Sequence, residues 1–200
     1  IIGAPGNQIY SPPGRSYVVF GKDTAADGPF AASFDLASLN GTNGFALIGI
    51  DAGDQSGISV SSAGDINGDG YGDLIIGADG ADPSGNSNAG ESYVVFGKSI
   101  GFTPSFNLST LNGTNGFVIN GIDAGDRSGF SVSSAGDVNG DGVGDLIIGA
   151  PYADPNSRAS AGETYIIFGR APIPCVGDIN NDGATNAGDF VILAGNFGAS

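Results

Sequence analysis

Two hundred residues carrying a formal net charge of −15, with six Lys and Arg against 21 Asp and Glu, argue against nucleic acid and anionic membranes as partners and favour cations. No apolar run approaches the ~20 residues of a membrane helix, so no membrane insertion is expected. There is no His, and Cys175 is the single Cys, which removes the commonest general base, the commonest zinc ligand and any disulfide within the chain.

In chain order, the β-like runs are Ile1–Ala4, Ser16–Phe20, Phe45–Ile50, Ile58–Ala63, Asp73–Ala78, Ser92–Phe96, Phe117–Ile122, Phe130–Ala135, Asp145–Ala150 and Thr164–Phe168, separated by turn residues. The stretch Gly57–Gly97 recurs 72 residues later as Gly129–Gly169, so the runs belong to one repeated unit of four strands. Leu74-Ile75-Ile76 and Val94-Val95-Phe96 are continuous apolar runs, as expected of strands covered on both faces. Small residues beside them, Ser61-Ser62-Ala63-Gly64 and Gly77-Ala78, allow sheets to approach closely.

Four strands per repeat predict an all-β fold built as a β-propeller, with a solenoid as the rival architecture. The first unit begins at Ile1–Ala4 without its first strand, and the last ends at Phe168 without its fourth, giving about two and a half blades. Propellers close with ~4–8 blades, so an incomplete arc is expected, completed either by further blades of the same protein or by other chains. Ile1-Ile2-Gly3-Ala4-Pro5 matches Ile147-Ile148-Gly149-Ala150-Pro151, and there is no initiator Met. Further sequence upstream, a signal peptide with it, is therefore expected.

Each full unit carries an acidic loop between its first two strands. In Asp65–Asp73 the oxygens fall at alternate positions: Asp65, Asn67, Asp69, the Tyr71 carbonyl and Asp73, with Gly70 at the sharp turn. The second copy offers Asp137, Asn139, Asp141, the Val143 carbonyl and Asp145, with Gly142 at the turn. A hard cation such as Ca²⁺ takes six to eight oxygens at about 2.3–2.6 Å, whereas Mg²⁺ keeps its water and a rigid octahedron. Asn-Gly and Asp-Gly are also ordinary hairpin residues, but turn chemistry alone does not call for side-chain oxygens at alternate positions in both copies. Position 12 holds Ile76 and Ile148, so these are strand–loop–strand sites and not helix–loop–helix EF-hands.

The segments Gly129-Phe130-Ser131-Val132, Gly136-Asp137-Val138-Asn139-Gly140-Asp141-Gly142 and Asp145-Leu146-Ile147-Ile148-Gly149-Ala150-Pro151 resemble the FG-GAP repeat. The "GAP" position is clear at Gly3-Ala4-Pro5 and Gly149-Ala150-Pro151 and departs at Gly77-Ala78-Asp79. The resemblance covers roughly residues 1–170. It implies the propeller of integrin α subunits, seven-bladed, with Ca²⁺ in hairpin loops on one face.

Ala171-Pro172-Ile173-Pro174 opens a short proline-rich linker, residues 171–176, ahead of a different module at 177–200. There the oxygens of Asp178, Asn180, Asp182, the Ala184 carbonyl, Asn186 and Asp189 occupy positions 1, 3, 5, 7, 9 and 12 of a calcium-type loop. Phe190, Leu193 and Phe197 then fall at helical spacing, with Gly195 weakening the helix. This loop and helix resemble one half of a type I dockerin, which implies a third Ca²⁺ and a cohesin-like partner.

Asp51, Asp54, Asp123 and Asp126 read as turn formers, Glu91 and Glu163 as residues preceding a strand, and Tyr17, Tyr93 and Tyr165 as packing. Nothing supplies a nucleophile–base pair or a catalytic metal with an open position. The expected function is a non-enzymatic, calcium-binding propeller module, extracellular or at the cell surface, where calcium near millimolar would load such loops. Its partners would be extracellular proteins or glycans. The alternative is the ancillary region of a larger extracellular, carbohydrate-active hydrolase.

Overall fold

Ile75 and Ile76 project to opposite faces of one strand, yet both are fully buried. The sheet that holds them is therefore covered on both sides, as the continuous apolar run predicts. The computed structural model describes residues 1–6 and 12–171. In it, β1 (Ile2–Ala4), β2 (Arg15–Val19) and β3 (Gly44–Ile48) form a first antiparallel meander. β4 (Ser59–Gly64), β5 (Asp73–Ala78) and β6 (Glu91–Val95) begin the second. After β7 (Ser105–Asn107), β8 (Gly116–Asn120) pairs with β6 and completes that sheet in the order β4-β5-β6-β8. The third sheet holds β9 (Ser131–Gly136), β10 (Asp145–Ala150) and β11 (Glu163–Ile167).

The second sheet is thus one four-stranded antiparallel unit, flanked by a sheet lacking the first strand of the unit and another lacking the fourth among the described residues. That is the inventory the repeat predicts, and it matches the strand order of propeller blades. One strand was not legible beforehand. β7 lies in the connection between β6 and β8 but pairs in parallel with β3, Ala46 opposite Ser105 and Ile48 opposite Asn107. The connection from one sheet thereby crosses to cap the edge of the sheet before it.

Two cores result, one between each pair of neighbouring sheets. Between the first and second lie Phe45, Leu47, Ile76, Tyr93, Val95 and Leu108. Phe102, from the crossing connection, stacks on Phe45 with centroids 4.0 Å apart. Between the second and third lie Ala63, Ile66, Ile75, Val94, Val132, Leu146 and Ile148. The register explains this division: Ile76 pairs with Tyr93 and faces one core, and Ile75 pairs with Val94 and faces the other. Tyr93 is fully buried in the first core, so it packs, as the sequence suggests.

Several boundaries differ from the expected runs. The fourth strand of the unit opens at Gly44 and Gly116 and closes at Ile48 and Asn120, short of Ile50 and Ile122. Both glycines have φ near +140°, which reads as a turn in the sequence yet starts the ladder here. Glu91 and Glu163 do not precede strands; they are the first residues of β6 and β11. A four-residue helix, α1 (Thr24–Asp27), capped by the Asp23 side chain, lies in the connection between β2 and β3.

Candidate functional site

The β4–β5 and β9–β10 hairpins each begin their loop at an irregularity in the ladder, where Gly64 and Gly136 take φ near +75°. The chain then coils around its own carboxylates. Asp65 accepts the backbone N–H groups of Asp69 at 3.0 Å and Gly70 at 2.9 Å. Asn67 Oδ1 accepts the same Asp69 N–H at 3.0 Å, and Asp69 Oδ1 accepts that of Tyr71 at 2.8 Å. The second loop repeats the pattern: Asp137 holds the amides of Asp141 at 3.1 Å and Gly142 at 2.9 Å, Asn139 holds Asp141 at 3.0 Å, and Asp141 holds Val143 at 2.9 Å. Asn67 and Asn139 also donate their side-chain amides to Asp69 and Asp141, at 2.8 and 2.9 Å.

Asp73 and Asp145 behave differently from the other loop acids. Both are essentially inaccessible. Asp73 Oδ2 accepts the Ile66 N–H at 2.9 Å, and its Oδ1 accepts the Gly97 N–H, from just beyond β6, at 2.8 Å. Asp145 does the same with Val138 at 2.7 Å and Gly169 at 2.9 Å. Each acid therefore ties its hairpin loop to the end of the third strand. Burial pushes the Asp73 carboxyl above the usual range; the amides of Gly97 and Ile66 oppose that, and the Asp69 and Asp65 charges add to it.

The donor set suits a hard cation in its chemistry. Each ionised carboxylate offers about four lone-pair sites, and no more than three are used by the recorded bonds. The Tyr71 and Val143 carbonyls accept no recorded hydrogen bond. The carboxylates are nevertheless not drawn to a common centre: among the described residues no group of three or more His, Cys, Asp or Glu stands in metal-holding geometry. The loop formed by Asp178, Asn180, Asp182, Ala184, Asn186 and Asp189, and nearly all of the linker, lie outside the described residues.

The opposite end of the same hairpins carries a second acidic feature, of which Asp51, Asp54, Asp123 and Asp126 read as turn formers in the sequence. Asp51, Asp54, Asp82 and Glu91 line one cleft of about 290 Å³. Asp123, Asp126, Asp154 and Glu163, each 72 positions later, line another of about 390 Å³. Asp54 and Asp126 are buried, at 9% and 8% exposure. Burial, with the charges of Asp51, Glu91 and Asp82 against one backbone hydrogen bond at Asp51, pushes Asp54 up to about 6. Burial followed by Asp123, Asp154 and Glu163 raises Asp126. The wall acids are held in place: Asp82 accepts the Asn88 N–H at 2.6 Å, and Glu91 accepts the Tyr93 hydroxyl at 2.6 Å. Asp154 likewise accepts from the Ser160 amide and Glu163 from the Tyr165 hydroxyl. Burial and the Glu163 bond push Tyr165 up to about 12. The signal that could have revealed these clefts is the common 72-residue spacing of all four acids.

The family model of the FG-GAP repeat matches residues 56–95 and 128–167. Phosphatidylinositol-glycan-specific phospholipase D of Bos taurus is 35% identical over 113 residues, 56% of this chain and 13% of that protein. Integrin alpha-PS2 of Drosophila melanogaster is 34% identical over 134 residues, 65% of this chain and 9% of that protein. Integrin alpha-V of Gallus gallus is 33% identical over 119 residues, 58% of this chain and 10% of that protein. The chain thus spans 13% or less of the length of these relatives. Each match segment runs from the turn ahead of β4 or β9 to the end of β6 or β11 and takes in the acidic hairpin, so the similarity to FG-GAP repeats falls on corresponding stretches of two sheets of an all-β chain.

Proposed function

We propose that the chain is a non-enzymatic, calcium-binding propeller module of a secreted or cell-surface protein, which presents its loops to extracellular proteins or glycans. The observation that carries this reading is the hydrogen-bond scheme that the two acidic hairpins share, which brings Asp65, Asn67 and Asp69, and Asp137, Asn139 and Asp141, around one turn each. Three carboxylates in one short loop repel one another, and a divalent cation would relieve that repulsion. Calcium would be held by these side chains, by the carbonyls of Tyr71 and Val143, and by Asp73 and Asp145. The similarity to integrin α subunits supports the extracellular and interaction parts of the reading. Among the described residues, no helix is long and apolar enough to cross a membrane.

Calorimetric titration of the chelator-stripped chain with CaCl₂ tests the reading. Two hairpin sites are expected, and a third from the loop at Asp178–Asp189. Removal of residues 177–200 should lower the stoichiometry from three to two. Occupancy at ten times Kd raises stability by about 1.4 kcal/mol per site, so EGTA should lower the melting temperature. No calcium uptake, and a melting temperature indifferent to EGTA, would overturn the assignment. The cohesin-docking role of the tail is tested by pull-down on a cohesin module with and without residues 177–200; equal recovery would dismiss it.

A second reading is favoured by the relatives named as a phospholipase D: the repeats are an ancillary region of a larger extracellular hydrolase whose catalytic part lies outside this sequence. The full-length sequence of the gene product separates the two. A catalytic domain adjoining the repeats favours the second, and further repeats alone favour the first.

A further inference from the structure

The third strand of the unit is paired along its outer edge in two sheets and open in the other. β2 takes β3 and β6 takes β8, both antiparallel and in one register: Val18 stands opposite Phe45, and Val94 opposite Phe117. β11 is the equivalent strand of the third sheet, and among the described residues it is that sheet's edge. Two features make the paired edge selective. A Cβ on Gly44 would stand 2.1 Å from the Val18 carbonyl oxygen, and one on Gly116 2.1 Å from that of Val94, so the added strand has to open on glycine. The next residue is Phe both times, its ring centroid 5.8 Å from that of Phe20 and 5.9 Å from that of Phe96. β11 carries the matching half. Ile166 stands where Val18 and Val94 do, Phe168 stands where Phe20 and Phe96 do, and the two are 40% and 58% exposed. The strand reads Glu-Thr-Tyr-Ile-Ile, with neither the Pro nor the Lys that commonly blunts an edge.

We infer that β11 is an acceptor edge for an extended segment of another polypeptide, one in which Gly-Phe is followed two positions on by an apolar residue. Gly44-Phe45-Ala46-Leu47 and Gly116-Phe117-Val118-Ile119 set that pattern. In strand addition of this kind, main-chain hydrogen bonds supply affinity and side chains at alternate positions supply selectivity. The register transfers residue by residue: Gly opposite Ile167, Phe opposite Ile166 and the further apolar residue opposite Thr164. Phe96 donates its N–H to the Asn115 carbonyl at 3.1 Å, as Phe20 does to that of Asn43 at 3.0 Å. Successive residues of a strand turn their N–H groups to opposite neighbours, so the Thr164, Ile166 and Phe168 N–H groups are the ones that point to the open edge. The guest's Phe and apolar residue would lie on the face of Ile166 and Phe168 and cover both. A second copy of this chain fits poorly, because its own two Gly-Phe strands are already paired with β2 and β6. The edge uses no residue of the proposed calcium sites.

The test is an NMR titration of the full chain with a synthetic peptide that copies residues 112–121, read by amide shifts and hydrogen exchange. Saturable binding is expected, with exchange slowed at least tenfold at the amides of Thr164, Ile166 and Phe168. The amides of Tyr165 and Ile167, which face β10, should change less than twofold. G116A in the peptide should weaken binding at least tenfold, and F117A at least fivefold. F168A in the chain, at an exposed position, should weaken binding of the unaltered peptide at least threefold. Shifts that do not saturate, or a G116A peptide that binds as well as its parent, would overturn the inference. So would binding seen only after removal of residues 177–200, which assigns the edge to this chain's own tail. A concentration-dependent dimer that the peptide breaks up would assign it to a second copy and overturn the inference likewise.

Discussion

Arg127 Nη1 stands 3.2 Å from Asp79 Oδ2, across 48 residues of sequence. The arginine comes from the connection between β8 and β9, and the aspartate from the turn that follows β5. Asp79 is 1% exposed, and its other oxygen accepts from Gln55 Nε2 at 3.3 Å. Gln55 and Arg127 are equivalent positions of successive repeats, and both adopt a positive φ, 59° and 54°. The guanidinium also lies 5.6 Å from the Tyr152 ring centroid, beyond β10. Asp79 occupies the place that Pro5 and Pro151 hold in the other copies. The departure from the repeat pattern is therefore an anchor between the second and third units.

Removing that anchor has a predictable cost. Burial raises the Asp79 carboxyl, and Arg127 is the chief influence holding it down. R127A leaves a buried acid with only Gln55. Breaking a buried pair from one side costs ~3–5 kcal/mol; with the arginine side chain 31% exposed, solvent screening reduces this to about 2 kcal/mol. Urea unfolding should show that loss for R127A and a smaller one for the double variant R127A/D79N, in which no charge is stranded. Equal losses in both would show that packing, not charge, is what Arg127 supplies.

Asp54 should make the fold less stable as pH rises. Its carboxyl titrates at about 6 in the folded protein against 3.8 in its ordinary state. Below pH ~4 it is protonated in both the folded and unfolded chain. Between ~4 and ~6 the folded state keeps the proton and the unfolded state does not, so the contribution to stability falls through that window and is flat above it. D54N removes the slope. The variant should exceed the parent by on the order of 2 kcal/mol at pH 7, and the difference should vanish near pH 4. A variant less stable than the parent at pH 7 would contradict the buried, cation-free environment.

Much of this architecture was legible because it is periodic. The 72-residue spacing and the runs Leu74-Ile75-Ile76 and Val94-Val95-Phe96 report strands buried on both faces, and burial is set by local hydrophobicity. The acids of the hairpins were legible for the same reason, since the coil around Asp65 and Asp137 is local. β7 was not. Ser105-Phe106-Asn107 has no strand signature of its own and is extended only because β3 offers it a partner some 60 residues away. Asp54 and Asp126 looked like turn formers because nothing in Ile-Asp-Ala-Gly-Asp shows that the second aspartate is buried; the β5–β6 and β10–β11 connections that help wall the clefts lie tens of residues downstream. The ion pair of Asp79 was hidden likewise, its partner fixed by the packing of one unit on the next.

Equivalent glycines of the repeat should tolerate alanine very differently. A Cβ on Gly77, in β5, would stand 2.0 Å from the Gly129 carbonyl oxygen, in the chain entering β9. The same atom on Gly149, in β10, would meet the Ser131 Oγ at 2.6 Å, an atom that a side-chain rotation moves away. G77A has to push two sheets apart and should cost about 3 kcal/mol or more. G149A should cost under about 1 kcal/mol. The contrast isolates inter-sheet approach from helix or strand propensity, which is common to both substitutions. Thermal melts showing similar losses would mean that the sheets are not in such close contact at Gly77.

Asp73 is the acid whose role does not depend on whether the loop holds a cation. It is 1% exposed and ties the amides of Ile66 and Gly97 together, bridging the β4–β5 loop and the end of β6. D73A strands the buried Ile66 N–H and the half-buried Gly97 N–H, and hydrogen bonds to a charged group are worth about 1.5–3 kcal/mol each. A loss of about 3 kcal/mol is expected even in EGTA, with faster hydrogen exchange at Ile66 and Gly97 in particular. D69A, at an exposed loop position, should cost well under half of that in EGTA. In CaCl₂ neither variant should gain the stabilisation that calcium gives the parent, because both remove a ligand of the proposed site, so the gap between them should persist. If D73A and D69A behave alike in EGTA, the buried aspartate is only a ligand. If they differ there and neither is stabilised by calcium, the same carboxylate both closes the hairpin and holds the ion.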